Sequence, residues 1–192
     1  MLLWIDIETT GLNVTQDIPL EVGFILTHDN YTAMGEVARM NWICKVHNWD
    51  FEPHDPFVHD MHTKSGLLDL LRRSNTEYQS YHAIDLQMMD WLQSQAYGFL
   101  GLDGTYPSLH PAGSSVHFDR TFLKKYFPLV ESLLHHRHLD VSSVKMLYPF
   151  VGLEYHKEPE DPHRALADLD LDIAWLNKFV QKAAAFFPKG ET

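Results

Sequence analysis

The feature of this sequence that most limits its fold is a short apolar segment near the start that carries two acids. Residues 2–8 read LLWIDIE, and all are apolar and β-prone except Asp6 and Glu8. Such a run predicts a central strand covered on both sides, and the i, i+2 spacing places both carboxylates on one face. Carboxylates held together away from water repel each other and lose hydration, which bound divalent cations would offset. The alternative is a half-exposed strand whose two acids are solvated.

The periodicity of apolar residues predicts an α/β chain. The expected strands after residues 2–8 lie near 20–28, 34–46, 108–109 and 138–141, and the expected helices lie near 56–73, 77–97, 119–127, 142–148 and 164–187. Three consecutive strands followed by alternating helices and strands indicate a mixed sheet packed by helices. The chain has no internal repeat and no linker, which favours a single domain over residues 1–192 with its core at about 2–187.

The charge balance restricts how such a chain could bind nucleic acid. There are 15 lysines and arginines against 26 aspartates and glutamates, a net charge of −11 with histidine neutral. This excludes a broad basic surface, although cations between the acids could still hold a phosphate chain. No apolar run is long enough for a membrane span, and the early acids disfavour a signal peptide. The single cysteine, Cys44, favours a reducing cytoplasm.

Three further residues could carry chemistry, although each has an ordinary structural explanation. Asp119 follows a small-residue segment and would serve as a helix N-cap. His163 comes five residues before Asp168, and five helical residues turn about 500°, so the two would not share a face of one helix. We therefore expect His163 on a loop or first turn and Asp168 inside the helix facing the core. Asp170 and Asp172 are expected to be solvated.

Taken together, these features resemble the DEDDh 3′→5′ exonucleases of the RNase H-like fold. Within that group the chain is similar to the oligoribonucleases over almost its whole length. The matching segments are LWIDIETTGL (3–12), HTKSGL (62–67), DRTFL (119–123), RHLDVSSV (137–144) and HRALAD (163–168). The resemblance implies an RNase H-like mixed five-stranded sheet with flanking helices.

The resemblance also implies a catalytic centre with two Mg²⁺ or Mn²⁺ ions. Their ligands would be the four carboxylates of the motif, Asp6, Glu8, Asp119 and Asp168. Such ions activate water and stabilise the leaving 3′ oxygen in phosphodiester hydrolysis. His163 would be the general base, a role that suits imidazole because its ordinary pKa of about 6.5 lies near neutral pH.

Three further residues match family positions in the substrate site. Leu12 would wedge between the last two bases, and Phe57 replaces a tryptophan that stacks on the 3′-terminal base. His62 is a substrate-binding candidate through the HTKSGL segment. Their ordinary explanations are a loop hydrophobe, a core residue and a structural histidine, respectively.

Five residues match the positions that close the 5′ side of the substrate in the oligoribonucleases. Those implied to cap a 5′ phosphate are Ser115, Arg137, Ser142 and Ser143, and His136 stands where the family commonly has tyrosine. This departure would loosen the cap. Some cap groups come from the partner subunit in the family, which implies a homodimer. The structural alternatives are a helix N-cap at Ser142 and a surface ion pair at Arg137.

The sequence therefore predicts an enzyme that degrades short single-stranded RNA to nucleoside 5′-monophosphates, with short DNA as a possible further substrate. HTKSGL and RHLDVSS favour this activity. The alternative is a DnaQ-like or RNase T-like exonuclease acting on single-stranded DNA or longer RNA ends, which the departures at Phe57 and His136 leave open. A third alternative, a non-catalytic nucleic-acid-binding module on the same fold, gives no reason for the four carboxylates and the histidine. We expect no membrane association.

Overall fold

Five strands form one mixed sheet in a computed structural model of this protein, which describes residues 1–28, 35–45, 52–73, 77–97, 107–155 and 163–186. The strands are β1 (Leu2–Thr9), β2 (Pro19–Thr27), β3 (Glu36–Ile43), β4 (His110–Gly113) and β5 (Leu139–Asp140), in the order β3-β2-β1-β4-β5. The pairs β1–β2 and β2–β3 are antiparallel, whereas β4 and β5 add in parallel. The five-stranded mixed sheet with flanking helices is confirmed.

The helices follow the predicted order but differ in their bounds. In the described ranges they are α1 (Pro56–Lys64), α2 (Leu67–Arg72), α3 (Tyr81–Tyr97), α4 (Val116–Tyr126), α5 (Pro128–Leu133), α6 (Val141–Lys145) and α7 (Ala165–Phe186). The single helix expected over 56–73 is wrong, because Gly66 adopts a left-handed φ of 75° and separates α1 from α2. None of the helices described is both long and apolar enough to cross a membrane. Positions 34, 46 and 187, predicted as element ends, lie outside the described residues.

Strand β1 is buried on both faces, as its sequence predicts. Leu3, Ile5 and Ile7 pack into the larger apolar core, to which α2–α5 contribute. Trp4 points the other way, into a second cluster with Leu169 of α7. Side chains alternate along a strand, so Asp6 and Glu8 share the face of Trp4 and are directed toward α7.

Helix α7 lies directly on the sheet at its first turn. A Cβ atom added to Gly23 of β2 would lie 2.7 Å from the Cβ of Ala165, so this close approach requires glycine. Leu169 and Leu176 are buried along the same helix. The contact brings Asp168, in the first turn of α7, over β1.

The connection from β4 to α4 passes equally close to β1. A Cβ atom on Gly113 would lie 2.7 Å from the carbonyl oxygen of Ile5, and Ser115 follows with a left-handed φ of 53°. Helix α4 therefore begins beside β1, with Asp119 inside its first turn. The N-cap explanation of Asp119 is wrong, because Ser115 occupies the cap position.

Candidate active site

Three carboxylates from β1 and α7 meet at one point of the sheet. Each of Asp6, Glu8 and Asp168 offers one oxygen atom, and these oxygens lie within 4.8 Å of one another. Burial raises the pKa of Asp6 well above its ordinary value, and repulsion from the surrounding carboxylates raises it further. Three acids at this separation are an oxygen-donor set that suits a hard divalent cation. The solvated-strand alternative is wrong, since Glu8 is 8% exposed.

Asp119 lies next to this group of three and is fixed by the backbone of β1. Its side chain is buried, and Oδ1 accepts a hydrogen bond from the Ile7 amide at 3.0 Å. Burial raises the pKa of Asp119, and the repulsion from Glu8 and Asp172 adds to this, although backbone hydrogen bonds act in the opposite direction. The fourth carboxylate of the motif therefore shares the electrostatic environment of the other three.

His163 lies at the rim of the same site, immediately before α7. It lines a cleft of about 620 Å³ together with Asp6, Glu8 and Asp168. Its backbone has a left-handed φ of 46°, which is uncommon for a residue with a side chain. The expected arrangement is confirmed: His163 precedes the helix, and Asp168 lies in its first turn.

A further acid belongs to this cleft, contrary to the sequence prediction. Asp172, expected to be solvated, is 7% exposed and lines the cleft, whereas Asp170 is exposed as expected. Asp172 accepts hydrogen bonds from the amide and hydroxyl of Ser114, both at 2.6 Å, and from Lys145 Nζ at 3.1 Å. The signal for Asp172 was its position four residues after Asp168, which puts both on one helix face.

Lys145 is the one lysine or arginine among the described residues that line the cleft. Its ammonium group also donates to the hydroxyl of Ser114 at 3.1 Å and lies 5.1 Å from the ring centre of Tyr155. Tyr155 and Trp175 line the same wall. Nothing in the local sequence distinguishes this lysine from a surface residue.

Leu12 and Phe57 meet at a second pocket of about 780 Å³. The two residues are 80% and 75% exposed, so this pocket presents two large apolar side chains to the solvent. Asp55 is the N-cap of α1 and accepts the backbone amide of Phe57 at 2.7 Å, which places Phe57 in the first turn of the helix. The core explanation of Phe57 is therefore wrong.

His62 is fully buried behind Glu8. Its Nε2 lies 2.8 Å from the carbonyl oxygen of Thr9, and its Nδ1 lies 3.8 Å from a carboxylate oxygen of Glu8. Burial lowers the pKa of His62, so the neutral imidazole donates Nε2–H to Thr9. The ring contacts the strand that carries Glu8.

One carboxylate organises the three serines of the predicted cap. Asp140 Oδ1 accepts the amides of Ser115, Ser142 and Ser143 at 3.1, 2.8 and 3.3 Å. The hydroxyls of Ser115 and Ser142 lie 3.2 Å apart, and Ser142 lines the cleft. The N-cap of α6 is Asp140, so the N-cap explanation of Ser142 is wrong.

His136 and Arg137 lie on an exposed segment before β5. Arg120 supports this segment by donating to the carbonyl oxygens of His135 and His136 at 3.4 and 3.3 Å. The rings of His135 and His136 lie 4.1 Å apart. Neither His136 nor Arg137 is among the described residues that line the cleft.

The sequence is similar to those of several bacterial oligoribonucleases over nearly the whole chain. It is 34% identical to an oligoribonuclease of Cutibacterium acnes over 180 residues, which covers 92% of this chain and 82% of that protein. It is 32% identical to oligoribonucleases of Corynebacterium glutamicum and Streptomyces avermitilis, covering 93% and 98% of this chain and 77% and 88% of those proteins. No protein-family model matches the chain.

Solved structures share the fold at low sequence identity. Exonuclease I of E. coli in complex with a dT13 oligonucleotide superposes with a TM-score of 0.66 at 17% identity. The zinc-bound form of the E. coli exonuclease I complex with single-stranded DNA gives 0.58 at 16%. The match covers 97% and 98% of this chain but only 42% and 41% of the exonuclease chains.

The raised pKa of Asp6 predicts how the stability of the metal-free protein depends on pH. The folded state holds this proton more tightly than the unfolded chain, whose aspartates titrate near 4. The stabilisation is therefore complete below that value and is lost as pH rises through the folded pKa. Relative to Asp6→Asn, which cannot titrate, the wild type should lose free energy of unfolding as the pH rises above about 4.

Urea unfolding in EDTA at a series of pH values, for both proteins, measures this difference. Added Mn²⁺ should stabilise the wild type more than Asp6→Asn at neutral pH, because a ligand that binds only the folded state raises its stability. If, in EDTA, the wild type instead gained free energy of unfolding relative to Asp6→Asn as the pH rises, the raised pKa of Asp6 would be contradicted.

Proposed function

The chain belongs to the oligoribonuclease family, and we propose that it is a 3′→5′ exoribonuclease that hydrolyses short single-stranded RNA, down to dinucleotides, to nucleoside 5′-monophosphates. The observation that carries this proposal is the convergence of Asp6, Glu8 and Asp168 in the cleft that His163 lines. A non-catalytic binding module would have no use for acids whose mutual repulsion destabilises the metal-free fold. The 92% of this chain covered by a family member supports one catalytic domain across residues 1–192, with its core at about 2–187.

We propose that the carboxylates of Asp6, Glu8, Asp119 and Asp168 hold two Mg²⁺ or Mn²⁺ ions. Bound ions of this kind supply a Lewis acid for the phosphoryl oxygens and lower the pKa of water. The oxygen-only donor set and the raised pKa of Asp6 support divalent cations of the hard class.

His163 is the proposed general base. Imidazole is the side chain best suited to accept a proton near neutral pH, and this one lines the cleft that holds the acids. It would take the proton from the water that attacks phosphorus while the 3′ oxygen leaves. The four proposed metal ligands would remain ionised during this step and keep the ions and the phosphate in place.

The two pockets divide the proposed substrate site. Leu12 and Phe57 would contact the bases of the 3′ end, where base–aromatic stacking contributes about 1–3 kcal/mol, and His62 would support that end from behind Glu8. At the other end the 5′ phosphate would meet a cap formed by Ser115, His136, Arg137, Ser142 and Ser143. Lys145 adds a positive charge beside Ser142 in the cleft.

A second candidate activity is 3′→5′ cleavage of single-stranded DNA or of longer RNA ends. The exposed position of His136 and Arg137 favours it. Neither residue is among the described residues that line the cleft, so these two do not close the end where the 5′ phosphate of a short substrate would lie. Exonuclease I, which shares the fold, is described in complex with single-stranded DNA. The length of the preferred substrate distinguishes the two activities.

We propose that the active form is a homodimer in the cytoplasm. Met146 and Phe150, 76% and 81% exposed, follow the cap helix α6 closely, and an apolar segment there suits contact with a second copy. Such a contact would bring the segment with His136 and Arg137 of one copy toward the cleft of the other. The buried free thiol of Cys44 suits a reducing compartment.

Loss of a proposed ligand or of the base should have different consequences. Asp168→Asn should lower kcat by about 10³-fold or more and weaken Mn²⁺ binding, because a charged ligand is lost. His163→Ala should lower kcat by about 10²–10⁴-fold with Mn²⁺ affinity kept, the usual range for a general base. Calorimetric Mn²⁺ titration and single-turnover hydrolysis of an RNA dinucleotide measure both.

Each of the two substitutions has a control of the same residue type outside the cleft. Asp170→Asn changes an exposed acid two residues away on α7, and His138→Ala changes an exposed histidine outside the cleft. Both should retain wild-type rates. Full activity of Asp168→Asn would remove the metal assignment, and an unchanged rate in His163→Ala would remove the general base.

The cap makes a prediction about substrate length. Arg137→Ala should lower kcat/KM for a 5′-phosphorylated RNA dinucleotide about tenfold or more, since a hydrogen bond to a charged group contributes about 1.5–3 kcal/mol. A heptanucleotide, whose 5′ phosphate lies far from the cleft, should lose much less. The assay uses RNA of two to seven nucleotides beside matched DNA, with Mg²⁺ and then Mn²⁺, and Arg73→Ala as a control.

Equal losses on both lengths would argue against a cap. A wild-type preference for the long substrates or for DNA would support the second candidate activity instead.

The dimer is tested by the mass of the protein in solution. Sedimentation equilibrium should give twice the 22.3 kDa chain mass for the wild type. Phe150→Asp should shift the protein toward the monomer, whereas Leu86→Asp, at a less exposed apolar residue of α3, should not. A monomeric wild type at micromolar concentration would refute the proposal.

A further inference from the structure

An ion pair between a buried glutamate and a half-buried arginine joins strand β2 to the residue that follows His163. Glu21 is 1% exposed, and its carboxylate accepts Nε and Nη2 of Arg164 at 2.8 Å each, a two-pronged contact with one N–H on each oxygen. The amide of Ala165, at 3.3 Å, and the side-chain amide of Asn41, at 2.7 Å, donate to the same carboxylate. Burial acts to raise the pKa of Glu21, but these partners bring it below the ordinary value. The pair is therefore charged and held by four donors.

The pair lies beside the carboxylates of the cleft, on the neighbouring strand. In the β1–β2 register, Glu21 faces Glu8, and Gly23 faces Asp6. Gly23 also allows β2 to touch Ala165. Two independent contacts with β2 thus hold the chain at residues 164 and 165, one through charge and one through close packing.

His163 needs such support because of its backbone. A left-handed φ of 46° is unfavourable for a residue with a Cβ, and it persists only where neighbouring contacts hold it. On the C-terminal side, the next residue is Arg164, whose guanidinium is fixed in the fork geometry. Rotation of the 163–164 backbone toward an ordinary conformation would pull the guanidinium away from Glu21.

We propose that Glu21 and Arg164 are positioning residues that hold the imidazole of His163 toward the cleft. This inference rests on the proposed function, in which His163 is the general base. Asp168 has its own support from the packing of Leu169 and Leu176 under α7. Loss of the pair should therefore misplace the base and leave the carboxylate group together.

The chain offers a matched control on the same helix. Arg39 of β3 also forms a two-pronged ion pair with α7, donating to Asp170 at 3.0 and 2.9 Å. That pair is exposed and lies farther along the helix from His163. Arg39→Gln removes another two-pronged ion pair between the sheet and α7, together with the contact of Arg39 with Glu36, without touching residues 163–165.

The test compares kcat, KM and Mn²⁺ affinity for an RNA dinucleotide across these variants. Arg164→Gln should lower kcat about 10–100-fold, the range for a misplaced catalytic group, with KM and the Mn²⁺ dissociation constant within about twofold of wild type. Arg164→Lys keeps the positive charge but not the two-pronged contact, so its kcat should lie between those of the wild type and Arg164→Gln. Arg39→Gln should match the wild type.

A double-mutant cycle decides whether the pair acts through His163. In a His163→Ala background, Arg164→Gln should cause no further loss, because the group it positions is absent. The variant Glu21→Gln/Arg164→Gln removes both charges, so it avoids a buried unpaired carboxylate if Arg164→Gln folds poorly. Thermal unfolding establishes that each protein is folded before its kinetics are compared.

Three results would overturn the inference while leaving the proposed function standing: wild-type kcat in a folded Arg164→Gln, additive losses in the cycle, or a parallel fall in Mn²⁺ affinity. The last would mean that the pair merely seats α7. A wild type that hydrolyses neither RNA nor DNA would instead overturn the proposed function, and this inference with it.

Discussion

Repulsion among carboxylates in a poorly hydrated cleft is the constraint on which the rest of this structure depends. Asp6 and Glu8 are fixed by a strand buried on both faces, and Asp168 is carried to them by a helix. Neither element could hold the acids together by local structure alone. The apolar packing of Trp4 against α7 keeps the strand and the helix in contact despite the repulsion between their acids.

The acids of the cleft differ in the polar contacts that the protein gives them. Asp119 is restrained by the amide of Ile7, and Asp172 is paired with Lys145. Although Lys145 contacts Asp172, the charge of Asp172 still adds to the repulsion that raises the pKa of Asp6 and Asp119. Asp6, Glu8 and Asp168 form the group of acids whose oxygen atoms are close enough together to suit a metal.

The fold and part of the candidate site could be predicted from the sequence, because short local patterns there indicate how distant segments pack. The apolar run around Asp6 and Glu8 predicted a strand covered on both faces, and the resemblance extended that to the sheet and to Asp168. Helix bounds were less predictable, because Gly66 breaks a continuous apolar pattern through a backbone conformation that residue types alone do not reveal. Asp119 was predicted as an N-cap, but α4 begins at Val116 after the left-handed Ser115, a backbone conformation that residue types alone do not reveal.

The buried polar contacts were the least predictable part. Whether Asp170 or Asp172 faces the cleft depends on the rotation of α7 against the sheet, which is a tertiary property. Glu21 and Arg164 are 143 residues apart, and no spacing rule connects them. In the sequence, each of these charged side chains looks like an ordinary surface residue. Only the packing of the folded chain places a partner beside it.

The single carboxylate oxygen of Asp140 has a consequence for how such a site can diverge. It accepts amides from the start of α4 and from α6, so the serines of the proposed cap are tied to the helix that carries Asp119. A descendant protein that shifted these serines to change the proposed 5′ cap would also disturb the start of the helix that carries Asp119. The exposed segment with His136 and Arg137 is held by Arg120 instead, so it could change without that disturbance.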